Sequence, residues 1–388
     1  MISRSLSDTE MGTPGPRTSG TERCPSGRRR KRVQYSFAES EISMALFGRN
    51  KNSTGLDIGS GFIKLVQVDH SGDQPEVTRV AIRPLLPDAI VEGEVMDPGL
   101  VARTVRELMD DSGIKPDGLV ASIGGHDVII KKITMERMAE DDARQVLPFE
   151  AERHVPFDPQ SVELDFQILD PDGTDPNMEV LLVAAKRDLV QDKLALLGDA
   201  GLEPRIIDVD AFALHNAFRH NHPEAGDGVT ALVNVGHEMT NVNILVDGVP
   251  ILTRDIPFGS RRIREDLQRE RGMSSEEAEE AVQGRARLGD LDAFVDRGVE
   301  DVAVGIERAA AFLMTQDSGE SLGRVFLSGG GARTPGLAEA LGRRLGIETR
   351  VANPFERVPV RPGAADPLNL DEAAPMLQLP LGLALRSP

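Results

Sequence analysis

Apolar and β-branched residues crowd positions 54–68 and are interrupted by Asp57-Ile58-Gly59-Ser60-Gly61. That pattern predicts two strands joined by a tight glycine hairpin with its backbone exposed. A second hairpin signal follows at His70-Ser71-Gly72-Asp73. Helical spacing appears over 98–112 and 138–152, and again over 187–200, where Gly201 supplies the stop. Residues 119–123 and 180–185 read as buried strands, and 162–169 alternates as a half-buried one. The pattern then restarts. Residues 231–236 form a strand entering a glycine turn, 240–246 alternates, Asp247-Gly248 is a hairpin turn, and 249–253 returns. A helix is expected over 261–271. Ser274 with Glu277 three residues on is a capping box for a helix over 274–283. A long helix runs through about 291–316, residues 325–328 form a strand delivering Gly329-Gly330-Gly331, and Pro335 suits the first turn of the next helix. The apolar tail over 375–386 is expected to dock on the body.

Two strand–glycine–strand units therefore recur, Gly59 and Gly236 lying 177 residues apart. This spacing is too long for a solenoid repeat. It fits two similar α/β halves facing one another across a cleft, where a ligand usually sits.

Composition sharpens this picture. The 388 residues carry 63 acids against 44 bases, a formal charge of −19, which argues against a nucleic-acid scaffold. The first 43 residues are rich in Ser, Thr, Gly and Pro and hold the run Arg28-Arg29-Arg30-Lys31-Arg32; their balance is +3, leaving −22 for the remainder. With no apolar stretch after the basic run, they read as a disordered leader or a start assigned too far upstream, with a tail for nucleic acid or anionic lipid as the alternative. The lone cysteine, Cys24, falls in this leader, so neither an internal disulfide nor a cysteine zinc site is available. No stretch of about 18 apolar residues is present, and a cytoplasmic setting fits.

The chemistry resides in the glycine turns. Each can present backbone N–H groups to phosphate oxygens, because a missing Cβ lets an anion approach. Asp57 beside the first turn suits a hydrated Mg²⁺, and Lys64 is placed either to meet a phosphate or to face solvent. No G-x-x-x-x-G-K-[ST] phosphate loop occurs. Arg261, Arg262, Arg264, Arg269 and Arg271 make a basic helix in an acidic chain. It could touch nucleotide, a partner or anionic lipid; with Glu265, Asp266 and Glu270 interleaved, it reads first as an exposed face. His220 and His222 lie two residues apart and make a poor metal pair.

Taken together, these segments resemble the type IV pilus assembly PilM family, relatives of the cell-division protein FtsA within the actin/Hsp70/sugar-kinase superfamily. The first hairpin matches that superfamily's first phosphate motif, residues 231–260 its second, and 325–337 its adenosine motif. Leu46-Phe47-Gly48, Val155-Pro156-Phe157, Leu182-Val183-Ala184-Ala185-Lys186, Ala200-Gly201-Leu202-Glu203-Pro204, Asn353-Pro354-Phe355 and Gly382-Leu383-Ala384-Leu385-Arg386 match the pilus family itself, so the likeness spans about 44–388. The resemblance implies an α/β, actin-like, two-lobed fold. Its first lobe (subdomain 1A) would comprise 44–124, 204–228 and 372–388, an FtsA-type 1C subdomain would be inserted at 125–203, and the second lobe would span 229–371. It implies ATP with Mg²⁺ between the lobes. Gly59, Ser60, Gly61, Lys64, Gly236, His237 and Thr240 would meet phosphates, and Gly329, Gly330 and Gly331 the adenosine. Asp57 and Asn234 would hold Mg²⁺ through water. It further implies a cytoplasmic adaptor, peripheral at the inner membrane, that holds the N-terminal tail of the membrane protein PilN and through it meets PilO, PilP and the pilus motor. The tail would lie in an apolar groove near Ile90, Val91, Val128 and Ile130. Self-association is compatible with this reading.

Three positions depart from the superfamily pattern. Asn234 stands where an Asp is usual and has no charge to order a metal or act as a base. Gly259-Ser260 replaces a Gly-Gly, and Val282 stands where a lysine follows the Ala-Glu pair at 278–279. Phosphoryl transfer depends on positioning and charge neutralisation, so these changes point to nucleotide binding with slow or absent hydrolysis. Two rivals remain on the sequence: an FtsA-like polymerising protein, for which residues 375–388 with three prolines and a single charge make a poor membrane anchor, and a sugar kinase, for which Asn234 removes the expected carboxylate.

Overall fold

The computed structural model describes residues 2–3, 52–116, 118–314 and 321–386. The rest of the leader and Leu46-Phe47-Gly48 lie outside the described residues. In chain order the elements are β1 (Ile2–Ser3), β2 (Asn52–Ile58), β3 (Phe62–Asp69), β4 (Glu76–Pro84), the short pair β5 (Ile90–Val91) and β6 (Glu94–Val95), α1 (Pro98–Ser112) and β7 (Leu119–Ile123). Then come β8 (Val128–Glu136), α2 (Glu140–Ala151), β9 (Val162–Ile168), β10 (Asn177–Lys186), α3 (Arg187–Asp199), β11 (Ile206–Val209) and α4 (Asp210–Asn221). The second half holds β12 (Val229–Val235), β13 (Thr240–Val246), β14 (Val249–Ile256), α5 (Ser260–Arg271), α6 (Ser275–Val282), α7 (Leu291–Met314), β15 (Leu322–Ser328), α8 (Leu337–Leu345) and β16 (Glu348–Val351). The chain closes with α9 (Leu370–Ala373) and α10 (Gln378–Ala384).

Two sheets of one topology carry the fold. In the first half the order is β1-β11-β7-β2-β3-β4: the antiparallel meander β2–β3–β4 continues through parallel β7 and β11. In the second half it is β14-β13-β12-β15-β16, again an antiparallel meander followed by two parallel strands. The duplication read from the two glycine hairpins is thus a duplication of whole sheets. All five residues of β7 are buried and β12 is buried except at Asn234; strands covered on both faces read as the continuous apolar runs seen here. The fold is actin-like, α/β and two-lobed.

Local chemistry sets the element ends. Asp97 caps α1 by accepting from the Leu100 N–H, Pro98 opens its first turn, and Gly113 closes it at φ 66°. Ser274 and Glu277 form the expected capping box before α6. Pro335 lies outside the helix that follows: the helix starts at Leu337, with Gly336 in a left-handed conformation as its N-cap. The tail docks as expected: every residue of α10 is buried. Its backbone lies so close to its neighbours that a Cβ on Gly382 would sit 1.7 Å from the Ala213 carbonyl oxygen, and one on Gly55 2.0 Å from that of Pro380.

The expected boundaries shift in two places. The inserted antiparallel sheet, β8-β10-β9 with α2 against it, ends at Lys186. Helix α3 buries Val190, Leu196 and Leu197 in the core of the first lobe. The chain also returns to the first lobe earlier than 372. Val77 donates to Pro359 O and accepts from Arg361 N–H, and Val358 joins the cluster of Val66, Val68 and Val77. Among the described residues no helix is long and apolar enough to cross a membrane.

Candidate functional site

The two glycine hairpins meet. Gly59 closes the first by donating to Phe62 O at 3.1 Å, and Gly236 closes the second by donating to Met239 O at 2.9 Å. A Cβ built on Gly61 would lie 3.0 Å from Cβ and Cγ of His237, so the hairpins touch across the cleft between the lobes. The second hairpin is held from behind. Ser260 donates to Gly236 O, Arg261 donates to His237 O, and Gly259 packs so tightly that its Cβ would stand 2.2 Å from that same His237 oxygen. Only glycine fits at 259. Burial, reinforced by the charge of Arg264, holds the His237 imidazole below its usual pKa and favours its neutral form.

Beneath the hairpins lies a chain of acids and amides. Lys64 forms a salt bridge with Asp57, both side chains being 13% exposed. The lysine is thus neither free nor on the solvent face, and it neutralises the metal-candidate carboxylate. Asn234 accepts from the Ser328 hydroxyl at 3.3 Å and donates to Asn241, whose amide donates to Asp255. Asp210, the first residue of α4, accepts from the Ser122 hydroxyl. Burial, with the negative charge of Asp57 also acting, pushes its carboxyl up to about 6 against the Ser122 hydrogen bond. Burial likewise raises Asp255 and lowers Lys193, which the charges of Asp210 and Asp57 partly restore. Asp57, Asp210, Asp255 and Lys193 thus share one electrostatic neighbourhood. Asp210 was not read from the sequence: β11, which delivers it, has only four residues, and no glycine marks the turn. The available signal was an acid directly after the strand 206–209.

The third glycine run closes the other side. Gly329 has φ 87°, and a Cβ there would meet Val235 O at 2.3 Å and Asn234 Oδ1 at 2.7 Å; Gly331 is pressed on the Val235 side chain. Only glycine fits at these two positions, whereas Gly330 has room around it. The loop therefore lies directly against the end of β12, bringing all three glycine turns to one cleft.

Other candidates fall elsewhere. Thr240 is fully buried and spends its hydroxyl on Phe258 O, so it braces the second hairpin rather than facing a ligand. Ile90 and Ile130 are 5% and 6% exposed and pack inside the protein. Val91 and Val128 are half-buried, and Val128 joins both of their clusters. The basic helix α5 is mostly neutralised: Arg261 pairs with Glu265, Glu238 and Asp88, Arg262 with Asp301, Arg269 with Asp266 and Arg271 with Asp290.

The acids fit Mg²⁺ only through water. Among the described residues no group of three or more His, Cys, Asp and Glu side chains is arranged to hold an ion directly. The Asp57, Asp210 and Asp255 carboxylates are nevertheless the oxygen donors a hydrated magnesium ion takes.

A family model for the type IV pilus assembly protein PilM matches residues 55–388. The chain belongs to the PilM family. A solved PilM–PilN type IV pilus biogenesis complex is 29% identical, covering 88% of this chain and 99% of that one, with a TM-score of 0.76. The ethanolamine utilization protein EutJ from Carboxydothermus hydrogenoformans is 20% identical with a TM-score of 0.50, over 86% and 89% of the two chains. This second likeness is one of fold. As a PilM-family member the chain is a type IV pilus assembly protein. Its site follows the duplicated architecture, with one glycine hairpin from each lobe.

Proposed function

We propose that this PilM-family protein is an ATP-binding adaptor that holds the cytoplasmic tail of PilN and turns nucleotide over slowly or not at all. The observation that carries the nucleotide half is the meeting of Gly61 and His237, with the glycine loop of Gly329 and Gly331 beside them. Backbone N–H groups of the two hairpins are the donors that a polyphosphate lying between them would meet. When bound, Mg²⁺ would supply charge neutralisation for the phosphates, with Asp57, Asp210 and Asn234 orienting its waters. Two features keep chemistry slow. Asn234 is a neutral amide already spent on Ser328 and Asn241. Asp57 is neutralised by Lys64. Neither is poised to draw a proton from an attacking water.

The partner half rests on family membership and on the PilM–PilN complex as the relative of highest TM-score reported above. The tail would lie where the first lobe meets the inserted sheet, against Val91 and Val128. Contacts to PilO, PilP and the motor would follow through PilN, and attachment to the inner membrane would come through these partners. The helix α10 is wholly buried and presents no apolar face to a membrane.

Calorimetric titration of the full chain tests both halves. ATP with Mg²⁺ and a synthetic peptide of the PilN tail should each bind at micromolar affinity, and single-turnover hydrolysis should take minutes or longer. Absence of ATP binding at millimolar nucleotide removes the first half. Absence of peptide binding at high micromolar concentration removes the second. Several turnovers per second would refute the adaptor reading.

A further inference from the structure

One arginine of α5 is unlike the others. Arg264 lies one turn beyond the segment that pins the second hairpin, and its side chain is only 16% exposed. Its one hydrogen bond among the described residues is a long one, 3.3 Å from Nη1 to Glu279 Oε2. Its Nε is buried without a partner. A guanidinium offers five donors in a planar fork, and leaving them unused in a buried place is costly. The other oxygen of Glu279 accepts from Gln283, so the carboxylate cannot answer the fork alone.

The surroundings say what is missing. The Arg264 charge acts on His237 of the phosphate hairpin. Glu279, its partner, also attracts Arg333, which ends the glycine turn and is repelled by Arg285. Arg264 follows Arg261, whose backbone N–H holds the His237 carbonyl, by one helical turn, so α5 carries it and its partner Glu279 close to the second phosphate hairpin, in a chain of net charge −19. Val282, the position where the sequence pattern looks for a cation, is 3% exposed in the core and offers nothing to the cleft.

We propose that Arg264 is the phosphate-binding cation of this cleft, its guanidinium leaving Glu279 to fork onto the polyphosphate of a nucleotide. This rests on the nucleotide reading above and adds the residue that would distinguish a triphosphate from the bare nucleoside. A planar fork meets two phosphate oxygens at once, which an ammonium does not.

The test compares ATP with adenosine on the full chain by calorimetry. Arg264→Gln keeps much of the side chain's bulk and should weaken ATP at least tenfold (about 1.4 kcal/mol) while changing adenosine less than twofold. Arg264→Lys should fall between. Glu279→Gln, which frees the arginine, should tighten ATP relative to adenosine. Thermal unfolding of each variant checks the fold. Equal losses for ATP and adenosine in Arg264→Gln would reduce the residue to a structural role. An unchanged ATP affinity there, or no gain in the ATP-to-adenosine ratio in Glu279→Gln, would overturn the exchange. If the unaltered chain binds neither ligand, the nucleotide reading falls and takes this inference with it; if it binds both and Arg264→Gln is silent, only the inference falls.

Discussion

Adding one methyl group at the hairpin contact should separate binding from stability. In Gly61→Ala the new Cβ would stand 3.0 Å from Cβ and Cγ of His237 and 3.4 Å from its Nδ1. Carbon atoms rest at roughly 3.5–4.0 Å, so the deficit is about 0.5–1 Å. His237 has little freedom to yield, because its carbonyl accepts from Arg261 at 2.8 Å and Gly259 is packed against its backbone. Gly61 itself is not in a left-handed conformation, so alanine adds no backbone strain. The hairpins must therefore part. A phosphate bridging them through N–H bonds of about 2.9 Å would have one set stretched beyond about 3.5 Å, where little bonding remains. Losing one such charge-assisted bond costs roughly 1.5–3 kcal/mol, or about 10- to 150-fold in ATP affinity. The lobes have separate cores, so the unfolding free energy should change by less than about 1 kcal/mol, the size of a surface substitution or little more. Calorimetry with ATP and thermal unfolding of the same preparation give both numbers. ATP affinity within twofold of the parent, at an unchanged midpoint, would show that the touching hairpins do not share a ligand.

Two further variants probe the frame and its titration. Gly382→Ala places a Cβ 1.7 Å from the Ala213 carbonyl oxygen, backbone against backbone, so α10 must lift from α4; the expected loss is about 3 kcal/mol, at the upper end for overpacking, and a denaturation midpoint equal to the parent's would contradict this packing. His215 is held down to about 4, mainly by burial and then by Arg219. The fold thus keeps it neutral while the unfolded chain protonates near 6.5, and its contribution is present above that pH and lost as pH falls towards 4, by up to about 3 kcal/mol. Asp210, raised to about 6, works in the opposite sense over much of the same range. The clean measurement is therefore the difference between parent and His215→Gln in urea unfolding from pH 7 to pH 4, and parallel curves would refute the suppressed titration.

Which parts of this protein were legible in its sequence follows from how local each signal is. The two halves were visible because a glycine hairpin is specified by adjacent residues; Asp57–Gly61 and Gly236–Thr240 announce their turns without reference to the rest of the chain. The capping box at Ser274 and Glu277 was legible for the same reason. Burial is not local. Ile90 and Ile130 carry the same apolar character whether they line a groove or fill a core, and only the packing of β5 and β8 places them inside. Thr240 reads as a hydroxyl near phosphate until Phe258 O is seen to take it. The five arginines of α5 illustrate the limit best. Their spacing predicts an exposed, acid-paired face, and that holds for Arg262, Arg269 and Arg271, while Arg261 is acid-paired but half-buried. Arg264 differs only because the start of α5 is tied to Gly236 and His237, which turns that one position towards Glu279 of α6. The site joins residues as far apart as Asp57 and Arg333, and its chemistry is set by which face each element presents to the other lobe. Individual cleft groups such as Asp210 and Arg264 are therefore placed only once both sheets are assembled, whereas the glycine turns that mark where to look are written in consecutive residues.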